Sequence, residues 1–125
     1  MSEQEIKVSD AELQLMQALW DDSPMTASDL AQQVGSRLGW SLTTVKTLLA
    51  RLAAKGAVAT QADGRRFLYR PAVERDVIAA RQATGLVDRL FGGRVSPLVA
   101  QLAEQRDLDP KDLDELEELV RSLRK

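Results

Sequence analysis

No cysteine and no histidine occur anywhere in the chain. Their absence removes disulfides, thiolate and imidazole zinc sites, and every catalytic arrangement built on those side chains. Carboxylates could still hold a hard cation, but no loop has the ligand spacing of a calcium-binding turn. No metal, no cofactor and no enzymatic activity are therefore expected. Aromatic residues make up only 4% of the sequence. No apolar run approaches the roughly 18 residues of a membrane span, and the N-terminus lacks the charged-then-apolar pattern of a signal peptide. These absences lead to the expectation of a cytoplasmic protein. Its 125 residues suffice for one domain, or for a small domain with an appended oligomerisation element.

What is present is an uneven distribution of charge. Residues 36–70 hold seven basic side chains (Arg37, Lys46, Arg51, Lys55, Arg65, Arg66, Arg70) and one acid, Asp63, a net of +6. The whole chain carries −2, so everything outside that block sums to −8. A pI of about 5.2 argues against nucleic acid, whereas the local count argues for it.

The cationic block coincides with a recognisable order of elements. Ser9-Asp10-Ala11-Glu12 is a capping box, followed by an apolar stripe through Leu13, Met16 and Trp20, with Leu15 and Leu19 beside it, ending near Asp21. Thr26-Ala27-Ser28-Asp29 repeats the capping pattern ahead of a second helix that Gly39 stops. Ser41 is the expected N-cap of a third helix, with Gly56 just past its end. Val58–Thr60 and Phe67–Tyr69 read as strands flanking a turn that contains Asp63-Gly64. The fold class is thus mostly α: a winged helix-turn-helix with a small β-hairpin wing, followed by a C-terminal helical region. The expected division is a winged-helix DNA-binding domain over residues 1–70 and a helical dimerisation region over residues 71–125. In the latter, Pro71 is expected to open a long helix that Gly92-Gly93 stops, Ser96-Pro97 a second, and Asp109-Pro110 a third.

At 100° per residue, Leu42, Val45, Leu48, Leu49 and Leu52 fall on one side of the third helix. The other side carries Thr43, Thr47, Ala50 and Ala54, flanked by Lys46, Thr44 and Arg51, with no acid at all. Such a face suits a major groove: threonines offer hydroxyls and methyls, Lys46 can donate to guanine, and Arg51 can grip a phosphate. The candidate DNA contacts are Ser41, Thr43, Thr44, Lys46, Thr47 and Arg51 on the helix, with Arg65 and Arg66 on the wing. The C-terminal helices carry short apolar stripes that a 55-residue tail buries poorly alone. Leu90, Leu98, Leu102, Leu113, Leu116, Leu119, Val120 and Leu123 are accordingly the candidate dimerisation residues. A two-fold dimer would bind a pseudo-palindrome in double-stranded DNA. The competing reading makes the winged helix a protein-interaction module without sequence-specific DNA binding.

Read together, these segments resemble the penicillinase-repressor family, with its methicillin-resistance repressors and copper-responsive relatives. The resemblance runs in order from about residue 7 to the end. It is carried by Ser9-Asp10-Ala11-Glu12 through Leu19-Trp20, by Trp40-Ser41 through Arg51-Leu52, and by Lys55-Gly56, Tyr69, Gly92-Gly93 and residues 107–112. It implies a dimeric repressor that sits on operator DNA through winged helices and dimerises through its C-terminal helices. Where the family often has proline and a basic residue after Trp-Ser, this chain has Leu42 and Thr43. The beta-lactam-responsive members are cleaved at an Asn-Phe bond, and the matching position here is Gln101-Leu102. A sensor-activated protease is thereby an implied partner, acting within residues 94–106. The copper-responsive relatives end in cysteine pairs, which this chain lacks, so direct thiolate sensing is excluded.

Overall fold

A computed structural model describes residues 6–125. Its elements in order are α1 (Asp10–Asp21), α2 (Ala27–Leu30), a π-helical turn (Ala31–Gly35), α3 (Ser36–Leu38), α4 (Leu42–Lys55), β1 (Val58–Asp63), β2 (Arg66–Pro71), α5 (Arg75–Phe91), α6 (Val95–Gln105) and α7 (Pro110–Leu123). The chain is mostly helical and divides into two compact units, one ending at Arg81 and the other beginning at Gln82. The first unit therefore takes in the opening turns of α5.

Local sequence accounts for most of the helix ends. Ser9 and Glu12 cap α1 reciprocally, and Thr26 and Asp29 do the same for α2. Gly39 ends α3 at φ 75°, a conformation that costs a side-chain-bearing residue energy. Asp109 caps α7 by accepting from the Lys111 amide, with Pro110 in the first turn where no amide partner is needed.

The core of the first unit is built on α4. Leu15, Met16 and Leu19 of α1, Leu30, and Val34 of the π turn pack with Val45, Leu49 and Leu52, all essentially without solvent exposure. Ala57 and Val58 close the floor from the start of β1, and Ile78 covers it from α5. The second helix is not the continuous one that the pattern predicts. A π turn interrupts it where Gly35 lies beneath the turn into α4: the Trp40 amide donates to the Gly35 carbonyl at 2.8 Å. A Cβ at Gly35 would sit 2.7 Å from the Trp40 carbonyl oxygen, so only glycine permits this approach.

The hairpin is longer than expected. β1 and β2 pair antiparallel from Val58↔Pro71 to Asp63↔Arg66, leaving Gly64-Arg65 as a two-residue loop. Gly64 has φ 66° and Arg65 is not in the positive-φ region, the pattern of a type II′ turn. Met25 adds a bridge to the other edge of β2, exchanging both backbone hydrogen bonds with Tyr69 at 3.0 and 2.8 Å.

Pro71 ends β2 and does not open the next helix, which starts at Arg75. The reason lies in the backbone after it: the Ala72 amide donates to the Ala57 carbonyl, and the Val73 carbonyl accepts from Trp20 Nε1 at 2.9 Å. Both bonds commit residues 72–73 to a bend outside the helix. Arg75 then lies 5.5 Å from the Trp20 ring centroid and pairs with Asp21 at 2.7 Å, fixing the start of α5 against the end of α1. Leu42 also departs from the expected buried stripe, at 39% exposure, because the first turn of α4 projects beyond the core. In the second unit α6 begins at Val95, so Ser96 is not its cap. Pro97 still falls in the first turn, where its missing amide costs nothing.

One buried charge ties these elements together. Glu12 is 2% exposed, yet its carboxylate accepts from the Ser9 amide and from Lys55 Nζ, and the same ammonium also reaches the Lys7 carbonyl at 2.6 Å. Burial opposes the charged form, but the Lys55 ammonium and the Ser9 hydrogen bonds outweigh it, holding Glu12 below the ordinary carboxylate range.

Two substitutions test this packing. Lys55→Met, which strands the Glu12 carboxylate, should destabilise the fold by about 2 kcal/mol. That is low for a buried pair because the Lys55 side chain keeps 35% exposure. Since the folded pKa is lowered, the pair's contribution is complete above the unfolded value. It disappears as pH falls below roughly 4.5 and through the folded value. Urea denaturation of wild type and variant should therefore differ at pH 7 and converge in acid. Gly35→Ala should cost about 1–3 kcal/mol by the same measurement, through the collision with the Trp40 carbonyl.

Candidate nucleic-acid interface

The outward face of α4 is held by its own start signal. The Ser41 hydroxyl accepts from the Thr44 amide at 3.1 Å and lies 3.2 Å from Thr44 Oγ1. Ser41 is thus first a cap, and its side chain is already engaged. Behind it Val45, Leu48, Leu49 and Leu52 are buried. In front, Thr43, Thr44, Lys46, Thr47, Ala50, Arg51 and Ala54 are all exposed, so the helical-wheel reading of this side agrees with the structure. The Thr47 hydroxyl donates to the Thr43 carbonyl at 3.0 Å.

The cationic block is not uniformly available. Lys46, Arg51 and Arg65 have no hydrogen-bond or ion-pair partner among the described residues. Lys55, by contrast, is committed to Glu12 and the Lys7 carbonyl. Arg37 lines an open groove with Gln14, Gln17 and Asp21 of α1. On the wing, Asp63 Oδ2 accepts two bonds from Arg66, at 3.0 and 3.2 Å, and Gln61 accepts from Arg70. The two wing arginines therefore differ: Arg65 stands free in the loop, and Arg66 is held by an exposed pair worth only a few tenths of a kcal/mol to about 1 kcal/mol. A phosphate could displace such a pair.

Sequence reasoning placed the free cations on α4 and at the wing tip. It missed that Lys55 is engaged by Glu12 and that Asp63 restrains Arg66. The second was detectable, because Asp63 and Arg66 flank a two-residue turn and so sit directly opposite one another. The first was not, since the bond spans 43 residues of sequence.

The second unit presents the other candidate surface. Leu90 at the end of α5, Leu102 on α6, and Leu113, Leu116, Leu119, Val120 and Leu123 on α7 are all exposed, from 39% at Leu116 to 75% at Leu123. Leu98 alone of the set is half-buried. Gln101 and Leu102 are both exposed, but they lie inside α6 and not in a loop. No helix among the described residues is long and apolar enough to cross a membrane.

Comparison with known proteins agrees with this geometry. The family model described as penicillinase repressor matches residues 8–122. The penicillinase repressor of Bacillus licheniformis is 26% identical over 114 residues, covering 91% of this chain and 89% of that protein. The methicillin resistance regulatory protein MecI of Staphylococcus aureus strain N315 is 25% identical over 120 residues, 96% of this chain and 98% of its own length. Among solved structures, the DNA-binding domain of the repressor BlaI superposes with a TM-score of 0.54 at 31% identity, over 59% of this chain and 90% of that one. The monomeric form of Bacillus licheniformis BlaI in complex with the blaP half-operator gives 0.51 at 33% identity, over 58% and 89% respectively.

If the free cations meet phosphates, Lys46→Ala and Arg51→Ala should each flatten the slope of log affinity against log salt by about 0.9. Asp63→Asn should do the reverse, strengthening duplex binding about threefold and steepening the slope by releasing Arg66. Fluorescence anisotropy on a labelled duplex at several salt concentrations measures both.

Proposed function

The chain belongs to the penicillinase-repressor family, and from that premise we propose that it is a transcriptional repressor that binds operator DNA as a homodimer. The observation that carries the proposal is the outward face of α4: seven exposed residues without an acid, two of them unpaired cations, in a chain of net charge −2. An ordinary solvated face mixes both signs, and this one suits a polyanion. Thr43, Thr44 and Thr47 lie in the turns that reach base edges, and Lys46 flanks them within reach of a phosphate. Arg51, Arg65 and Arg66 take backbone phosphates, and the Ser41 cap sets the register of the helix. Access to DNA places its action in the cytoplasm.

Dimerisation accounts for the second unit. An apolar stripe along a 14-residue helix, exposed at every position, is unstable in water without a cover. A second copy of the same stripe is the self-complementary solution, and it would present two recognition helices to a pseudo-palindromic operator. Relief of repression would follow from cutting the chain between Gln101 and Leu102 by a sensor-activated protease. That cut removes the end of α6 and all of α7 from the part that carries α4. Because the bond lies within a helix, cleavage requires α6 to open locally first.

Sedimentation and operator binding test the reading together. The wild-type chain should sediment as a dimer at micromolar concentration, and Leu116→Asp combined with Leu119→Asp should yield a folded monomer. Affinity for a two-half-site duplex should fall by about 10²-fold, while binding to a single half-site stays unchanged. A double variant that remains dimeric, or a monomeric wild type that fills a two-half-site operator, would contradict the proposal.

A further inference from the structure

The hydrogen bonds on α4 constrain what its face can read. Lys46 and Arg51 can only donate, and no Asn, Gln, Asp or Glu stands among the exposed residues of that face. Acceptors for a base amino group must therefore come from threonine hydroxyls. Three are present, and they are not equivalent. Thr43 has no side-chain partner among the described residues, so its hydroxyl can turn to donate or accept. Thr44 shares its hydroxyl with Ser41, and either oxygen of that pair can supply the proton. Thr47 is different. Its Oγ1 lies 3.0 Å from the Thr43 carbonyl oxygen, which cannot donate, so the Thr47 proton must point back into the helix. What remains outside is a lone pair, and the same rotamer fixes the γ-methyl beside it.

We infer that Thr47 is a specificity-determining residue that selects an A·T pair, accepting from the adenine N6 amino group and packing its methyl on the thymine methyl. In the major groove an A·T pair offers an amino donor and a methyl on one base-pair edge. A G·C pair offers the cytosine amino donor without the methyl, and the guanine O6 and N7 acceptors would face the Thr47 lone pair. The inference rests on the duplex-binding reading above and adds to it the base pair and the two atoms read.

Base analogues crossed with two conservative variants test it. The full-length protein is measured on a duplex it binds sequence-specifically. Each A·T pair of a half-site is altered in turn, by purine for adenine, which lacks the N6 amino group, or by uracil for thymine, which lacks the methyl. At one pair per half-site, each analogue should weaken wild-type binding about three- to tenfold. Thr47→Val, which keeps the methyl and loses the hydroxyl, should abolish the purine penalty there. Thr47→Ser, which keeps the hydroxyl and loses the methyl, should abolish the uracil penalty. Thr47 is exposed, and equal melting temperatures verify that the variants fold; the serine arm suffices if the valine variant does not. Sequence-specific binding with no A·T pair coupled to Thr47 in this way would overturn the inference and leave the repressor reading intact. Absence of any sequence preference in the wild type would overturn both.

Discussion

The buried carboxylate of Glu12 is the interaction on which the first unit depends. It completes the cap of α1, and through Lys55 it holds the last turn of α4, so one side chain joins the start of the first helix to the end of α4. A hydrophobic core alone would tolerate small slides of α4 along its axis, because leucines accept one another in several registers. A buried ion pair does not, since a displaced Glu12 would leave a charge without a partner in a low-dielectric setting. The tight approach of Gly35 to the turn before α4 restrains the opposite end of the same helix. The outward threonines thus stand on a helix anchored at both ends.

The same anchoring separates the chain's two uses of positive charge. Lys55 counts toward the +6 block in sequence but acts as a structural cation. Lys46, Arg51 and Arg65 remain without partners, and on the proposed reading these are the groups left to neutralise phosphates. The acids elsewhere in the chain do not cancel them locally, because at physiological salt exposed charges are screened beyond about 8 Å. An acidic protein can therefore bind a polyanion, provided its free cations share one surface. The restraint of Arg66 by Asp63 adds a weak internal competitor that favours exchange over permanent capture.

What was legible in the sequence was what local chemistry determines. The two capping boxes, the Ser41 and Asp109 caps, and Gly39 and Gly56 mark their helix ends within a residue, since each satisfies or ends backbone bonding on the spot. The acid-free face of α4 was legible for the same reason, because helical periodicity alone sorts its sides. Features set by distant partners were not. Pro71 looks like a helix start, and only the bonds from Ala72 to Ala57 and from Trp20 to Val73 keep that stretch out of the helix. The Met25–Tyr69 bridge and the Glu12–Lys55 pair join residues more than 40 positions apart. The π turn at Ala31–Gly35 has no composition signal and follows from the packing of Gly35 under Trp40.

On the proposed reading, a homodimer of this chain reads a two-fold-symmetric duplex through α4. Selection of bound sequences from a random duplex library tests it most directly, because no operator need be assumed. A homodimer should enrich an inverted repeat whose half-sites lie one helical turn, or a multiple of it, apart, with affinity falling steeply as salt rises. A library that yields no enriched sequence, or an enriched site without two-fold symmetry, would contradict it.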